Sequence, residues 1–170
     1  SYQNGKTNPR PRVRTIKEGP TSAAFTGDGG LGMIVATRAM RTAIAKAKQM
    51  GVAATTATYH AHLGSTGKYV RMALREDMIG IAFSGRNAAP QYERSRSIHG
   101  SIQGSPPLAF GMPSGSDHPP FLLDMASHMP WDASCFEKMP QVFFKAIGIS
   151  HVANIMSGTL GGQMLPEFDR

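Results

Sequence analysis

The chain has 170 residues and a mass of 18.2 kDa, which suits one domain or one part of a larger one. Hydrophobic residues make up 41% and charged residues 17%, a globular composition that argues against a fully disordered chain. The single cysteine, Cys135, excludes an internal disulfide and a cysteine-rich zinc site. No apolar run reaches the ~18 residues that cross a bilayer, and the polar, basic start lacks the apolar core of a signal peptide. We therefore expect a cytoplasmic protein.

The net charge of +7 is concentrated in the first fifty residues, where nine Lys and Arg face only Glu18 and Asp28. An excess of this kind could favour nucleic acid, an acidic partner or an anionic cofactor. The basic residues of the first part alternate with Pro and Asn rather than with aromatic residues, and no nucleic-acid motif is present. We therefore do not expect nucleic acid as a partner, and interpret the charge as a solvated arm followed by a helix with a basic outer face.

Residues 1–20 predict an extended basic arm, because three prolines interrupt any helix there. Within this arm, Val13 and Ile16 could anchor a short strand. The remainder, 21–170, is expected to form a single domain.

Apolar residues at three- and four-residue spacings predict a first helix over about 32–50, with Gly51 as its C-cap. The small, β-branched run 52–58 predicts a buried strand. A second helix is expected at about 66–78 and a second strand at 79–85. Helices and strands therefore alternate through the first half of the chain.

The polar stretch 86–107 has no clear helical or strand periodicity. It is longer than most simple connecting loops, so we expect it to be functional or to pack on a neighbouring part of the structure. The segments 108–113 and 120–127 predict a hairpin-like pair of strands. The last helix, 140–162, is apolar on nearly every side, so we expect it to be buried. The pattern predicts an α/β fold with a mixed or mainly antiparallel sheet and two or three packed helices.

The segment GDGGLG (27–32) is a glycine-rich turn before a helix, a place where backbone N–H groups can hold phosphate. The dinucleotide fingerprint requires G-x-G-x-x-G directly after a strand and an acidic residue about 20 positions later. Neither condition is met, so a plain turn that starts a helix is the preferred interpretation.

His60 and His62 stand two residues apart at the end of a predicted strand. No carboxylate within a few residues completes a set of metal ligands, so no metal site is expected. A histidine here is usually structural, but the small residues that follow His62 suit contact with an anion or a cofactor.

Asp124 and Lys145 are charged residues inside apolar runs. A carboxylate in such a place is costly unless it is bonded, so Asp124 is either a helix N-cap or buried pair, or a cofactor or catalytic residue. Lys145 either extends to the surface or faces an anionic ligand in a cleft. The residues alone leave these alternatives open.

Taken in order, these segments resemble the malate/L-lactate dehydrogenase family of NAD(P)-dependent oxidoreductases, whose fold is not Rossmann. Its relatives include sulfolactate and ureidoglycolate dehydrogenases and diketogulonate reductase. The segments that carry the resemblance are DGGLG (28–32), AMRTAIAKAKQMGVA (39–53), HLGSTGKYVRMAL (62–74), MIGIAFSGRNAAP (78–90), GSPPLAFGMPSG (104–115), PPFLLDMAS (119–127) and FFKAIGISHVANIMSGTLGG (143–162).

The resemblance implies reversible hydride transfer between NAD or NADP and a 2-hydroxy acid/2-keto acid pair, or a related imine. It implies a homodimer, and it implies that His62 is a catalytic residue near the reacting end. The cofactor contacts that it implies are Phe121, Leu122, Leu123, Asp124, Met125, Ala126, Phe144 and Lys145, the last neutralising cofactor phosphate.

By the same resemblance, the chain corresponds to the central cofactor-binding part of the family. The family's Ser-His-Gly segment, which carries its acid/base histidine, would precede the match at 8–11, and the connection from the Asp124 strand to the Lys145 helix is shortened. We therefore expect the chain alone to be a poor dehydrogenase. Two alternatives stay open: a non-catalytic dinucleotide-binding or scaffold subunit, and a basic surface that binds anionic polymers.

Overall fold

A computed structural model describes residues 7–85, 106–126 and 137–160 of the chain. The elements, in chain order, are β1 (Arg14–Glu18), β2 (Ser22–Thr26), α1 (Gly32–Met50), β3 (Ala54–Thr58), α2 (Gly67–Leu74), β4 (Gly80–Phe83), β5 (Pro107–Met112), β6 (Phe121–Ala126), α3 (Pro140–Asn154) and a π-helical turn (Ile155–Thr159). Among these helices, none is long and apolar enough to span a membrane. The polar stretch expected to be functional lies almost entirely outside the described residues.

The described strands form two three-stranded sheets. In the first, β2 lies between β1, its antiparallel neighbour, and β3, which is parallel to it and is reached through α1. In the second, β4, β5 and β6 are antiparallel neighbours in that order, so the predicted pair of strands at 108–113 and 120–127 is confirmed. The expected fold class is confirmed as well, with one mixed and one antiparallel sheet instead of a single sheet.

The first sheet is covered by α1. Ala23 and Phe25 of β2 form a buried cluster with Val35 and Ala39 of the helix. The two helical residues are four positions apart and therefore lie on one face, which is the arrangement that lets a helix pack on a sheet. The predicted bounds of this helix are confirmed, as is its glycine cap, because Gly51 has a φ of 84° and donates its N–H to the carbonyl of Ala47.

The second sheet is covered by α2, which approaches it closely. A β-carbon on Gly111 of β5 would lie 3.0 Å from a methyl carbon of Leu74, and one on Gly80 of β4 would lie 2.9 Å from Cβ of Ala73. These glycines leave room for the helix, whose Val70 is fully buried. The helices α1 and α2 also contact each other, so the two sheet-and-helix units are joined through their helices.

The basic arm is tied to the first sheet by side chains of α1. Arg38 donates from Nη1 to the carbonyl of Val13 at 2.8 Å. Lys46 donates to the carbonyl of Gly19 at 2.8 Å and forms an ion pair with Glu18, also at 2.8 Å. The short strand expected near Ile16 is confirmed by β1. Part of the basic excess therefore serves to hold this strand, although the domain division at residue 20 stays a prediction.

The prediction that the last helix is buried is wrong for this chain. Val142, Phe144, Ile149 and Val152 of α3 are all exposed. Towards its end the helix does pack, since Ser150 and Ala153 are buried and a β-carbon on Gly85 would lie 2.9 Å from the Cα of Asn154. Its apolar composition therefore reflects surfaces that the described residues of this chain leave uncovered.

Candidate functional site

The two histidines lie on the segment 59–66, which joins β3 to α2 and is called the histidine loop here. Backbone hydrogen bonds of 2.8 to 3.2 Å hold this loop and the end of β3 against the glycine-rich turn 27–32. The bonded pairs are Gly27–Thr58, Gly29–Tyr59, Gly30–Ala61 and Gly32–His62. The loop is therefore fixed along one side by another part of the main chain.

The glycines of this turn allow the close approach. A β-carbon on Gly32 would lie 2.6 Å from Nδ1 of His60 and 2.8 Å from Cβ of Leu63, and one on Gly27 would lie 2.7 Å from Cβ of His60. The backbone N–H groups of Gly27, Gly29, Gly30 and Gly32 all donate to carbonyl oxygens. The turn therefore supports the histidine loop, and these N–H groups are not available to cradle a phosphate.

The arm reaches the same turn from the other side. Asn8 donates from its side chain to both the carbonyl and the carboxylate of Asp28, at 2.9 and 3.0 Å, and the backbone N–H of Arg12 donates to the same carboxylate at 2.9 Å. Asp28 has a φ of 52°, a left-handed conformation that Asp and Asn adopt more readily than most residues. Asp28 thus joins the arm to the turn that carries the histidine loop.

The far end of the histidine loop is held by Asp124 of β6. Ser65 donates its hydroxyl to one carboxylate oxygen, and Thr66 donates to the other at 3.1 Å. A β-carbon on Gly67, the first residue of α2, would lie 2.7 Å from the carboxylate carbon. Of the alternatives for this residue, the structure therefore supports a cap at a helix N-terminus, supplied from a neighbouring strand rather than from the residues before the helix.

The environment of Asp124 favours its charged form. Partial burial raises the pKa of the carboxyl, but the hydrogen bonds from Ser65, Thr66 and the N–H of Gly67, together with the charge of Arg71, lower it, and the pKa ends below its ordinary value of 3.8. Asp124 is therefore a carboxylate at neutral pH. A negative charge at this position also complements the positive end of the α2 dipole.

The two histidines differ in their surroundings. His60 is half-buried, and its Nδ1 lies 2.7 Å from the carbonyl oxygen of Ala61. His62 is exposed, and its Nδ1 accepts the backbone N–H of Gly64 at 3.2 Å. Within the described ranges, no group of three or more His, Cys, Asp or Glu side chains could hold a metal ion. His62 is thus an exposed imidazole on a loop that is anchored at both ends.

The strand β6 presents apolar side chains on the face opposite Asp124. Phe121 is 57% exposed and Leu123 39% exposed, and alternate residues of a strand point to opposite faces. Leu122 and Met125 are half-buried and Ala126 is exposed. Apolar surface of this kind fits the planar rings of a dinucleotide.

Phe144 and Lys145 lie in the first half of α3, and both are exposed. Lys145 makes no hydrogen bond or ion pair with any residue that the structure describes. The structure thus brings Asp124 of β6 to the loop that carries His62, whereas Lys145 lies on α3.

A shallow groove of about 580 Å³ lies between α1 and the end of β1. Arg38, Arg41 and Lys46 line it, but Arg38 and Lys46 already bond to main-chain carbonyls of the arm. None of the predicted site residues lines this groove. It therefore does not compete with the histidine loop as the candidate site.

Residues 1–130 match the family described as malate/L-lactate dehydrogenase. The chain belongs to this family. The matched range contains the histidine loop and β6 but ends before Lys145.

Individual members of the family agree with that assignment. This chain is 40% identical over 124 residues to a malate dehydrogenase from Pyrococcus horikoshii, and the match covers 73% of this chain and 33% of that protein. It is 36% identical over 123 residues to an L-sulfolactate dehydrogenase from Methanocaldococcus jannaschii, covering 72% of this chain and 34% of that protein. The chain spans about a third of the length of these relatives.

The fold agrees with solved structures as well. The structure of malate dehydrogenase from Pyrococcus horikoshii superposes with a TM-score of 0.73 at 32% identity, covering 94% of this chain and 52% of that one. Sulfolactate dehydrogenase from Methanocaldococcus jannaschii superposes with a TM-score of 0.73 at 26% identity, covering 96% and 55%. The chain thus has the fold of about half of each of these proteins.

Proposed function

We propose that this chain is the cofactor-binding part of an NAD- or NADP-dependent oxidoreductase that interconverts a 2-hydroxy acid and a 2-keto acid. The observation that carries the proposal is the family match over residues 1–130, which spans both His62 and Asp124. The relatives named above are dehydrogenases of malate and L-sulfolactate, and a further one, from Escherichia coli O157:H7, acts on ureidoglycolate with NAD⁺. These names favour an enzyme over a scaffold subunit that has lost the chemistry.

The proposed site has three parts. His62 is a catalytic residue that contacts the substrate, as the resemblance to the family implies, and it is an exposed imidazole on an anchored loop. The strand β6, Phe121–Ala126, supplies apolar contacts to the dinucleotide, with Asp124 fixing the adjoining loop. Phe144 and Lys145 complete the cofactor contacts, with the Lys145 ammonium pairing with phosphate. The nicotinamide, when bound, supplies the hydride acceptor or donor.

Titration of the protein with NADH and with NADPH, followed by calorimetry, tests the cofactor part of the proposal and decides between the two dinucleotides. We expect saturable binding of at least one of them. Binding of neither at millimolar concentration would contradict the proposal. Turnover of malate, lactate, sulfolactate or ureidoglycolate with NAD⁺ or NADP⁺ would then identify the substrate and would contradict the scaffold alternative.

A homodimer and a cytoplasmic location are parts of the same proposal. The exposed apolar side chains of α3 support the dimer, because an apolar surface of that extent on a helix normally lies in an interface. An isologous dimer would cover the same helix in both subunits.

A further inference from the structure

Two glycines of the glycine-rich turn are each held from two sides. The carbonyl of Gly29 accepts the backbone N–H of Asn8 at 2.8 Å, and the N–H of Gly29 donates to the carbonyl of Tyr59 at 3.0 Å. Gly30 also bonds to the histidine loop, and a β-carbon on Gly30 would lie 2.5 Å from Cγ of Pro11. The turn therefore lies between the arm on one side and the histidine loop on the other.

Tyr59, the first residue of the histidine loop, has a φ of 52°. A left-handed conformation is uncommon for a bulky side chain and persists where the surrounding structure imposes it. Here Gly29 donates to the Tyr59 carbonyl, and a β-carbon on Gly29 would lie 3.0 Å from Cζ of the tyrosine ring. Because β3 ends at Thr58, the conformation of Tyr59 sets the direction in which the loop leaves the sheet. The location of His62 therefore depends on the turn.

The turn itself is left-handed at Asp28 and Gly29, with φ angles of 52° and 67°, and the arm holds it there. The side chain of Asn8 donates to the carbonyl of Asp28 at 2.9 Å and to its carboxylate at 3.0 Å. The N–H of Arg12 donates to the same carboxylate oxygen at 2.9 Å. Thr7, next to Asn8, is buried, so this part of the arm is packed against the rest of the chain.

We propose that Asn8 and Asp28 are positioning residues of the proposed site, because their contact fixes the turn that directs the histidine loop. The turn keeps Tyr59 in its left-handed conformation, and that conformation places His62 where it meets the substrate. The proposal rests on the proposed function, since the substrate contact of His62 is part of it. Asn8 and Asp28 act only through the loop and exchange no proton with the substrate.

Three variants test the contact without altering the histidine loop. Asn8→Asp removes the amide donor and places a second carboxylate beside that of Asp28. Asp28→Asn keeps an oxygen that accepts both hydrogen bonds, and asparagine tolerates the positive φ. In the double variant Asn8→Asp/Asp28→Asn the amide and the carboxylate change places, so that a donor again faces an acceptor. Arg10→Ala is the control, because this side chain is exposed in the same part of the arm.

Amide hydrogen exchange, followed by NMR, measures the effect on the loop. The reporters are the N–H groups of Gly29 and Ala61, which bond the turn to the loop, and the reference is Ala109, fully buried in the central strand of the second sheet. In Asn8→Asp we expect the two reporters to exchange roughly tenfold faster, with the reference unchanged. Asp28→Asn, the double variant and the control should stay within about threefold of the wild type.

Binding of an acid measures the effect on the site. Oxalate, a non-reacting dianion with the two adjacent carboxyl carbons of a 2-keto acid skeleton, is titrated into protein saturated with NADH or NADPH. We expect Asn8→Asp to raise the oxalate dissociation constant roughly tenfold and to leave that of the dinucleotide within about twofold. The double variant should restore oxalate binding. Asn8→Ala, which removes the donor without adding a charge, should act in the same direction and replaces Asn8→Asp if that variant does not fold.

The outcomes separate this inference from the function on which it rests. Equal acceleration of exchange at the loop and at Ala109 would reduce the contact to a role in stability and overturn the positioning role. Faster exchange of the loop with unchanged oxalate binding, or a double variant that restores neither, would overturn it as well, with the dehydrogenase function still standing. Failure of the wild-type protein to bind either dinucleotide, or oxalate with it, would instead overturn the proposed function and the positioning role together.

Discussion

The carboxylate of Asp124 on β6 accepts a hydrogen bond of 3.1 Å from the hydroxyl of Thr66, the residue that precedes α2. The two residues are 58 positions apart, so the bond connects the second sheet to the loop that carries the histidines. The glycine-rich turn holds the other side of that loop through main-chain bonds. The position of His62 therefore depends on residues from three separate parts of the sequence.

Replacing Asp124 by Asn should destabilise the protein at neutral pH by about 1 kcal/mol, a modest value because the side chain is largely exposed. The folded protein lowers the pKa of Asp124 below its ordinary 3.8, so the stabilisation is complete above that value and is lost as the pH falls through the folded pKa. Urea unfolding of both proteins between about pH 7 and pH 3 should show that the difference in their unfolding free energies decreases as the pH falls. An equal difference in unfolding free energy at all pH values would contradict a role for the charge.

Gly67→Ala should destabilise the protein by roughly 1–3 kcal/mol, because the new β-carbon would lie 2.7 Å from the carboxylate carbon of Asp124 and the cap would have to move. Gly148→Ala in α3 is the matched control, since no neighbouring atom of the described residues lies within 4 Å of its added carbon. That substitution should stabilise the helix by about 0.5–1 kcal/mol. Denaturant unfolding of the two variants checks both values, and equal effects would show that the helix end tolerates the carbon.

Local signals in the sequence were sufficient for several elements. Apolar periodicity followed by Gly51 predicts α1 with its observed bounds, and two apolar segments on either side of a polar turn predict β5 and β6. The strand β2 could not be predicted in this way, because its short run of small residues becomes a strand through pairing with β1 and β3. The predicted second helix ends earlier than expected, at Leu74, since Asp77 adopts a positive φ of 55°.

Non-local information decided the rest. From the sequence, Asp124 could be either a helix cap or a cofactor contact. The fold brings it to Ser65 and Thr66, with which it forms hydrogen bonds. The sequence signal for this contact was the position of Ser65 and Thr66 before a predicted helix. The apolar composition of α3 indicates that the helix packs against another surface, but it does not indicate whether that surface belongs to this chain. The sequence could predict which residues need partners, whereas the partners themselves depend on tertiary packing.

Lys145→Ala should weaken dinucleotide binding while leaving stability nearly unchanged, because Lys145 is exposed and has no partner among the described residues. A charge-assisted contact with phosphate is worth about 1.5–3 kcal/mol, which corresponds to a rise in the dissociation constant of roughly 10- to 150-fold. Lys138→Ala, an exposed lysine just before the same helix, is the control and should leave binding unchanged. An unchanged dissociation constant with a lowered melting temperature would remove Lys145 from the site.

The protein should self-associate through α3, and Val152→Ser should weaken that association. Val152 is 52% exposed, and Val142, Phe144 and Ile149 of the same helix are exposed as well. A standard interface buries about 800 Å² per partner, and these side chains can contribute to such an area. Because Val152 is exposed in the monomer, its replacement should change the unfolding free energy by no more than about 0.5 kcal/mol.

Val52→Ser is the matched control, since this valine is 70% exposed and lies just before β3. Sedimentation velocity at several concentrations should show the wild type and Val52→Ser as dimers and a larger monomer fraction in Val152→Ser, and a wild-type chain that stays at 18.2 kDa throughout would contradict the interface.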